Sequence, residues 1–181
     1  ILTGSHDMVT DNLEWSQRTS KWLTSVIELE IPVFGICYGH QLLAQTLGGT
    51  VGTNLYGPEF GSCTATLRKG AKSDPLFTDL PVNTPVLCSH MQSVHTLPEG
   101  ANLLASTRLC ENLAFSIGQC WGVQFHPEFN AHIAQEYVSE FANDLERSGL
   151  DSSTIKGSVK EAPESYTLID RFARYALAVS Q

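Results

Sequence analysis

Long apolar runs are absent from this 181-residue chain. None approaches the roughly 18 residues that span a bilayer, so neither a membrane helix nor a membrane partner is expected. The sequence shows no pattern of a positively charged segment followed by an apolar one, so no secretory leader is expected. Basic residues are scarce: 11 Lys and Arg stand against 19 Asp and Glu, a formal net charge of −8. That balance argues against nucleic acid as a direct partner. The five cysteines are odd in number and scattered without a CxxC pair. They read as free thiols of a reducing cytoplasm rather than a disulfide framework or a thiolate zinc site. None of the six histidines has the helical i, i+4 pairing of a zinc motif, so no metal and no other cofactor is expected. Repeats, low-complexity tracts and a G-x-x-x-x-G-K-[ST] phosphate loop are also missing.

What is present is concentrated in Pro32 to Gly49, which read PVFGICYGHQLLAQTLGG. An apolar strand-like run leads into Gly35-Ile36-Cys37-Tyr38-Gly39, and an amphipathic helix pattern follows at once. This is the pattern of a nucleophile elbow with cysteine at the turn. Glycines two residues before and after Cys37 let strand and helix pass close to a strained position. Such a turn sets the thiol at a helix N-terminus, where the dipole and free N–H groups favour the thiolate.

A nucleophile needs a base. Trp121 to Phe129 form a second strand-like run ending in His126-Pro127-Glu128. Pro127 biases His126 toward extended backbone, in which residues i and i+2 project to one side. His126 and Glu128 are therefore expected to face one cleft. There His126 moves the thiol proton and Glu128 braces the ring.

These residues resemble the class I glutamine amidotransferases, whose G-x-C-x-G-x-Q elbow and late H-P-E match Gly35, Cys37, Gly39, Gln41 and His126-Pro127-Glu128. The free-standing GMP-synthase-like members, a group that includes γ-glutamyl peptidases, are similar over roughly Ile1 to Phe141. The resemblance implies an oxyanion hole from the backbone N–H of Tyr38 and one from the Gly4-Ser5 loop. Here the chain departs from the family's Gly-Gly-Pro by reading Gly4-Ser5-His6. It also implies that Gln41 contacts the glutamine substrate, and that Ser89, Met91 and Gln92 grip its amino and carboxyl groups. The plainer alternatives are a solvated helix residue and an ordinary turn.

The implied fold is an α/β, flavodoxin-like three-layer sandwich with a mixed, mostly parallel central sheet. Residues 1–150 are expected to form the catalytic domain, with N-terminal strands preceding Ile1 missing. Residues 151–181 are expected to be a polar linker and a helix packing on that domain. Helices are expected over Leu13 to Leu29, Tyr38 to Leu47, Ala131 to Arg147 and Tyr166 to Val179. A Trp15/Trp22/Leu23/Val26/Ile27 stripe is assigned to the core. Strands are expected over Ile31 to Ile36, Gly57 to Arg68 and Pro85 to Cys88. A meander of Leu103 to Ser106, Leu113 to Ile117 and Cys120 to Phe125 follows.

The expected activity is hydrolysis of a glutamine side-chain amide through a γ-glutamyl thioester. The partners are that small molecule and a separate acceptor or synthase protein. A γ-glutamyl peptidase acting on glutathione-like substrates and a non-catalytic binding subunit remain as alternatives. A redox sensor using the cysteine alone is disfavoured by the His-Pro-Glu segment.

Overall fold

In the computed structural model, which describes residues 1–179, a six-stranded sheet carries helices on both faces. The elements are α1 (Glu14–Glu28), β1 (Val33–Ile36), α2 (Tyr38–Thr46), β2 (Thr50–Thr53), β3 (Glu59–Leu67), β4 (Asn83–His90) and β5 (Gln92–Thr96). They continue with β6 (Asn102–Ser106), β7 (Ala114–Ile117), β8 (Cys120–Val123), α3 (Ala131–Glu140), α4 (Ala142–Arg147), α5 (Ser152–Ser158) and α6 (Pro163–Val179).

The three layers follow from strand alternation. Val33 and Cys120 point into the cluster that holds Leu23 of α1 and Leu43 of α2. Their neighbours Phe34 and Trp121 point into the opposite cluster, with Leu168 and Phe172 of α6. No helix among the described residues is long and apolar enough to cross a membrane.

The sheet is mixed, in the order β1-β8-β7-β6-β3-β4. Its balance differs from the expectation of a mostly parallel sheet. Among the described residues only β1 and β8 pair as parallel strands, extended by a parallel bridge from Leu2 to Gly35. The remaining pairings are antiparallel, because the late strands connect by hairpins that leave no crossover helix between them. A separate ribbon of β2 and β5 was not legible in the sequence.

Three further expectations are corrected. Trp15 and Trp22 are 42% and 58% exposed, while Ser16 and Leu23 are buried. Successive helical residues stand about 100° apart, so a stripe centred on Ser16 and Leu23 leaves both tryptophans at its edge. The helix expected over Ala131 to Arg147 breaks at Phe141 into α3 and α4. The stretch expected to be linker contains α5, whose start is capped by the Asp151 carboxylate accepting from Ser153 N and Thr154 N.

Candidate active site

Cys37 sits between β1 and α2 at φ 51°, ψ −102°, a region that residues with a Cβ rarely occupy. Two glycines make room for this turn. A Cβ on Gly35 would lie 2.5 Å from the Gly39 carbonyl oxygen, and one on Gly39 would lie 2.4 Å from the Leu2 carbonyl oxygen. Each neighbour is backbone and cannot swing away. Replacing Gly39 with alanine is expected to cost roughly 2 kcal/mol, a Tm drop of about 4–8 °C in a scanning thermal melt.

The Cys37 N–H donates to Val123 O at 2.8 Å, and its thiol donates to Ser89 O at 3.7 Å. His126 follows β8 and is fixed by its backbone N–H to Leu87 O at 2.8 Å. Its ring stacks on Phe129 at 4.0 Å between centroids. Nδ1 lies 2.7 Å from Glu128 Oε1, so the acid defines the tautomer of a buried imidazole. Nε2 is buried and finds no partner of strict hydrogen-bond geometry. Its electrostatic partner is the Cys37 sulfur. Burial alone would lower the His126 pKa, but the charge and hydrogen bonding of Cys37, joined by Glu128, outweigh it and hold the ring at about 10. Gly4 passes between the two groups: a Cβ there would meet His126 Cε1 at 3.2 Å and Cys37 Cβ at 3.8 Å.

Every residue singled out from the sequence borders one cleft with two lobes. Ser5, Cys37, Tyr38, Gln41, Ser89, Met91 and Gln92 line the first. Gly4, Ser5, Cys37, Ser89, His126 and Glu128 line the second, so the sulfur lies where the lobes meet. Tyr38 opens α2, and a helix's first N–H groups have no acceptor within the helix. Its ring points elsewhere, with the hydroxyl donating to Ser16 Oγ at 2.7 Å.

Gln41 is neither solvated nor free: its amide nitrogen donates to Gln92 O and to Gln124 Oε1, both at 2.9 Å. It ties α2 to β5, which leaves only its carbonyl oxygen for a ligand. The Gln92 side chain donates to Thr10 Oγ1 at 2.7 Å, so its part in the cleft falls to backbone. His90 ends β4, and His95 lies within β5.

His6, which the sequence left only as able to approach the cleft, and Phe141, which sequence reasoning missed, border both lobes. They meet edge-on at 5.6 Å between centroids. Phe141 turns in because the helix breaks there, and no proline or glycine announced the break. Of the other cysteines, Cys88, Cys110 and Cys120 are buried, and Cys63 is half-buried. Burial pushes the Cys120 thiol up to about 11.

The layers and the cysteine turn define an α/β sandwich with a thiol elbow. Residues 9–145 match the family Glutamine amidotransferase class-I, and the chain belongs to that family. Among its relatives is a glutamine-hydrolyzing GMP synthase of Caldicellulosiruptor saccharolyticus, 42% identical over 119 residues, covering 64% of this chain and 22% of the relative. Gamma-glutamyl peptidase 3 of Arabidopsis thaliana is 33% identical over 148 residues, 79% of this chain and 59% of the relative. A subunit of the glutamine-hydrolyzing GMP synthase of Natronomonas pharaonis is 39% identical over 147 residues, 80% of this chain and 73% of the relative. The chain thus spans about a fifth and about three fifths of the first two. A glutamine amidotransferase from Thermotoga maritima superposes with a TM-score of 0.79 over 96% of this chain and 75% of its own, at 21% identity, which shows the shared fold.

Proposed function

We propose that this chain hydrolyses the side-chain amide of glutamine through a γ-glutamyl thioester on Cys37. The observation that carries the reading is a strained cysteine elbow facing a buried imidazole braced by a carboxylate. The Cys37 sulfur attacks the amide carbon, and the oxyanion that forms is held by the backbone N–H groups of Tyr38 and the Gly4-Ser5 loop. The C–N bond breaks as His126 passes its proton to the departing nitrogen. Water then enters, His126 takes one of its protons, and the hydroxide attacks the thioester. Glutamate leaves, and the proton returns to the cysteine–histidine pair.

The first lobe holds the glutamyl part, gripped by backbone of Ser89, Met91 and Gln92. The second lobe, beside His126 and Glu128, holds the leaving group. In this reading the ammonia passes to a separate synthase protein, as suggested by the Natronomonas relative, which is named as one subunit of its synthase. A second reading, γ-glutamyl peptidase, is favoured by the Arabidopsis relative and by the second lobe. In that case the lobe takes an amino compound instead of ammonia.

Incubation with glutamine and, separately, with glutathione decides between the two, read as ammonia and glutamate release. A rapidly quenched reaction should carry an adduct of about 129 Da on Cys37, the mass of the γ-glutamyl group that covalent catalysis leaves behind. Turnover without any adduct on that sulfur would overturn the thioester route.

A further inference from the structure

A second set of reactive side chains, of which His90 borders the first lobe, takes no part in that chemistry. On β3 and β4, Glu59 pairs with His90, and Gly61 pairs with Cys88. Residues two apart on paired strands share a face, so Glu59, His90 and Cys88 project together. One donor atom from each, a carboxylate oxygen, a ring nitrogen and a thiol sulfur, all lie within 4.8 Å of one another. The three residues are 6%, 4% and 1% exposed.

The hydrogen bonds at His90 sharpen the point. Nδ1 is 3.0 Å from the Gln92 carbonyl oxygen, which can only accept, so Nδ1 carries the hydrogen. The lone pair of Nε2 then faces Glu59 Oε2 at 3.1 Å. Two acceptors at that distance need a positive charge between them, supplied by a proton or a metal ion. An imidazole braced through Nδ1–H on a backbone carbonyl is also how metal-ligating histidines are oriented. The ion pairs of Glu59 among the described residues involve His90 alone.

We propose that Glu59, Cys88 and His90 form a binding site for one divalent cation of the zinc class. Nitrogen, sulfur and oxygen donors together select zinc over calcium or magnesium. Neighbouring ligands of tetrahedral zinc stand roughly 3.3–3.7 Å apart, so the cluster needs only small adjustments, with the His90–Glu59 pair widening slightly and more distant pairs closing in. Binding releases two protons to solvent, the one shared by His90 Nε2 and Glu59 Oε2 and the one on the Cys88 thiol, and changes no oxidation state. Helical i, i+4 spacing does not mark this site, because its ligands come from two strands.

The test uses the full chain carrying Cys37→Ala, so that the elbow sulfur cannot compete for metal. After dialysis against a chelator, Co²⁺ and then Zn²⁺ are titrated. The expected result is one equivalent of Co²⁺ with a sulfur-to-cobalt charge-transfer band in the near ultraviolet, displaced by Zn²⁺. Adding Cys88→Ala should abolish the band. Adding Glu59→Gln should weaken Zn²⁺ binding by at least about tenfold. The amide introduced by Glu59→Gln can donate to His90 Nε2 and keep the strands paired, and circular dichroism confirms that this variant folds. Absence of one-to-one binding, a band that survives Cys88→Ala, or undiminished affinity in Glu59→Gln would each overturn the proposal.

Discussion

Cys37→Ala should lower the rate of glutamine hydrolysis by at least about 10³-fold, to the residue of catalysis that donors and binding alone provide. Glutamine should still bind, because the first lobe keeps Gln41, Ser89, Met91 and Gln92 in place. The loss therefore belongs in kcat rather than in affinity, and isothermal titration alongside steady-state ammonia release separates the two. Cys37→Ser is the stricter probe. It preserves the shape of the turn but substitutes a hydroxyl that ionises far less readily, so the rate should fall almost as far. Turnover within tenfold of the unaltered chain would remove the sulfur from the chemistry.

The second large effect is expected at Glu128. Its carboxylate touches His126 Nδ1 and is partly open to solvent, with the side chain 36% exposed. Glu128→Gln should reduce kcat/KM by about 10²-fold or more, because the ring loses the partner that fixes its tautomer and stabilises its charge. A shift in pH dependence should accompany the loss. On the proposed route protonated His126 delivers the leaving-group proton, and its pKa is held at about 10, so the alkaline limb of the rate should lie there. Glu128 raises that value, and its removal must move the limb to lower pH. A lowered rate with an unmoved limb would mean that Glu128 merely shapes the cleft.

The legible parts of this molecule were those where local chemistry is severe. A cysteine at φ 51° demands close backbone approach on both sides, and Gly35 and Gly39 announce it from the sequence. The extended bias before Pro127 similarly disclosed that His126 and Glu128 lie on one side. Long-range pairing left weaker traces. β2 and β5 are short and half polar, and nothing in Thr50–Thr53 specifies its partner. The tryptophans misled because size suggests burial, whereas the phase of α1 turns them outward. The polar run after Ser148 concealed α5 because only the Asp151 cap marks its start. Gln41 was found by resemblance, but its bonds to Gln92 and Gln124 depend on strands far away in the chain.

The placement of the sulfur at the junction of the two lobes has a kinetic corollary. On the proposed thioester route, whatever amine departs, the acyl group left behind is the same and occupies the same half of the crevice. Substrates differing only beyond the scissile nitrogen should therefore share one hydrolysis step and diverge only in how fast they load the enzyme. When that shared step limits turnover, chemically diverse γ-glutamyl donors will converge on a single maximal velocity.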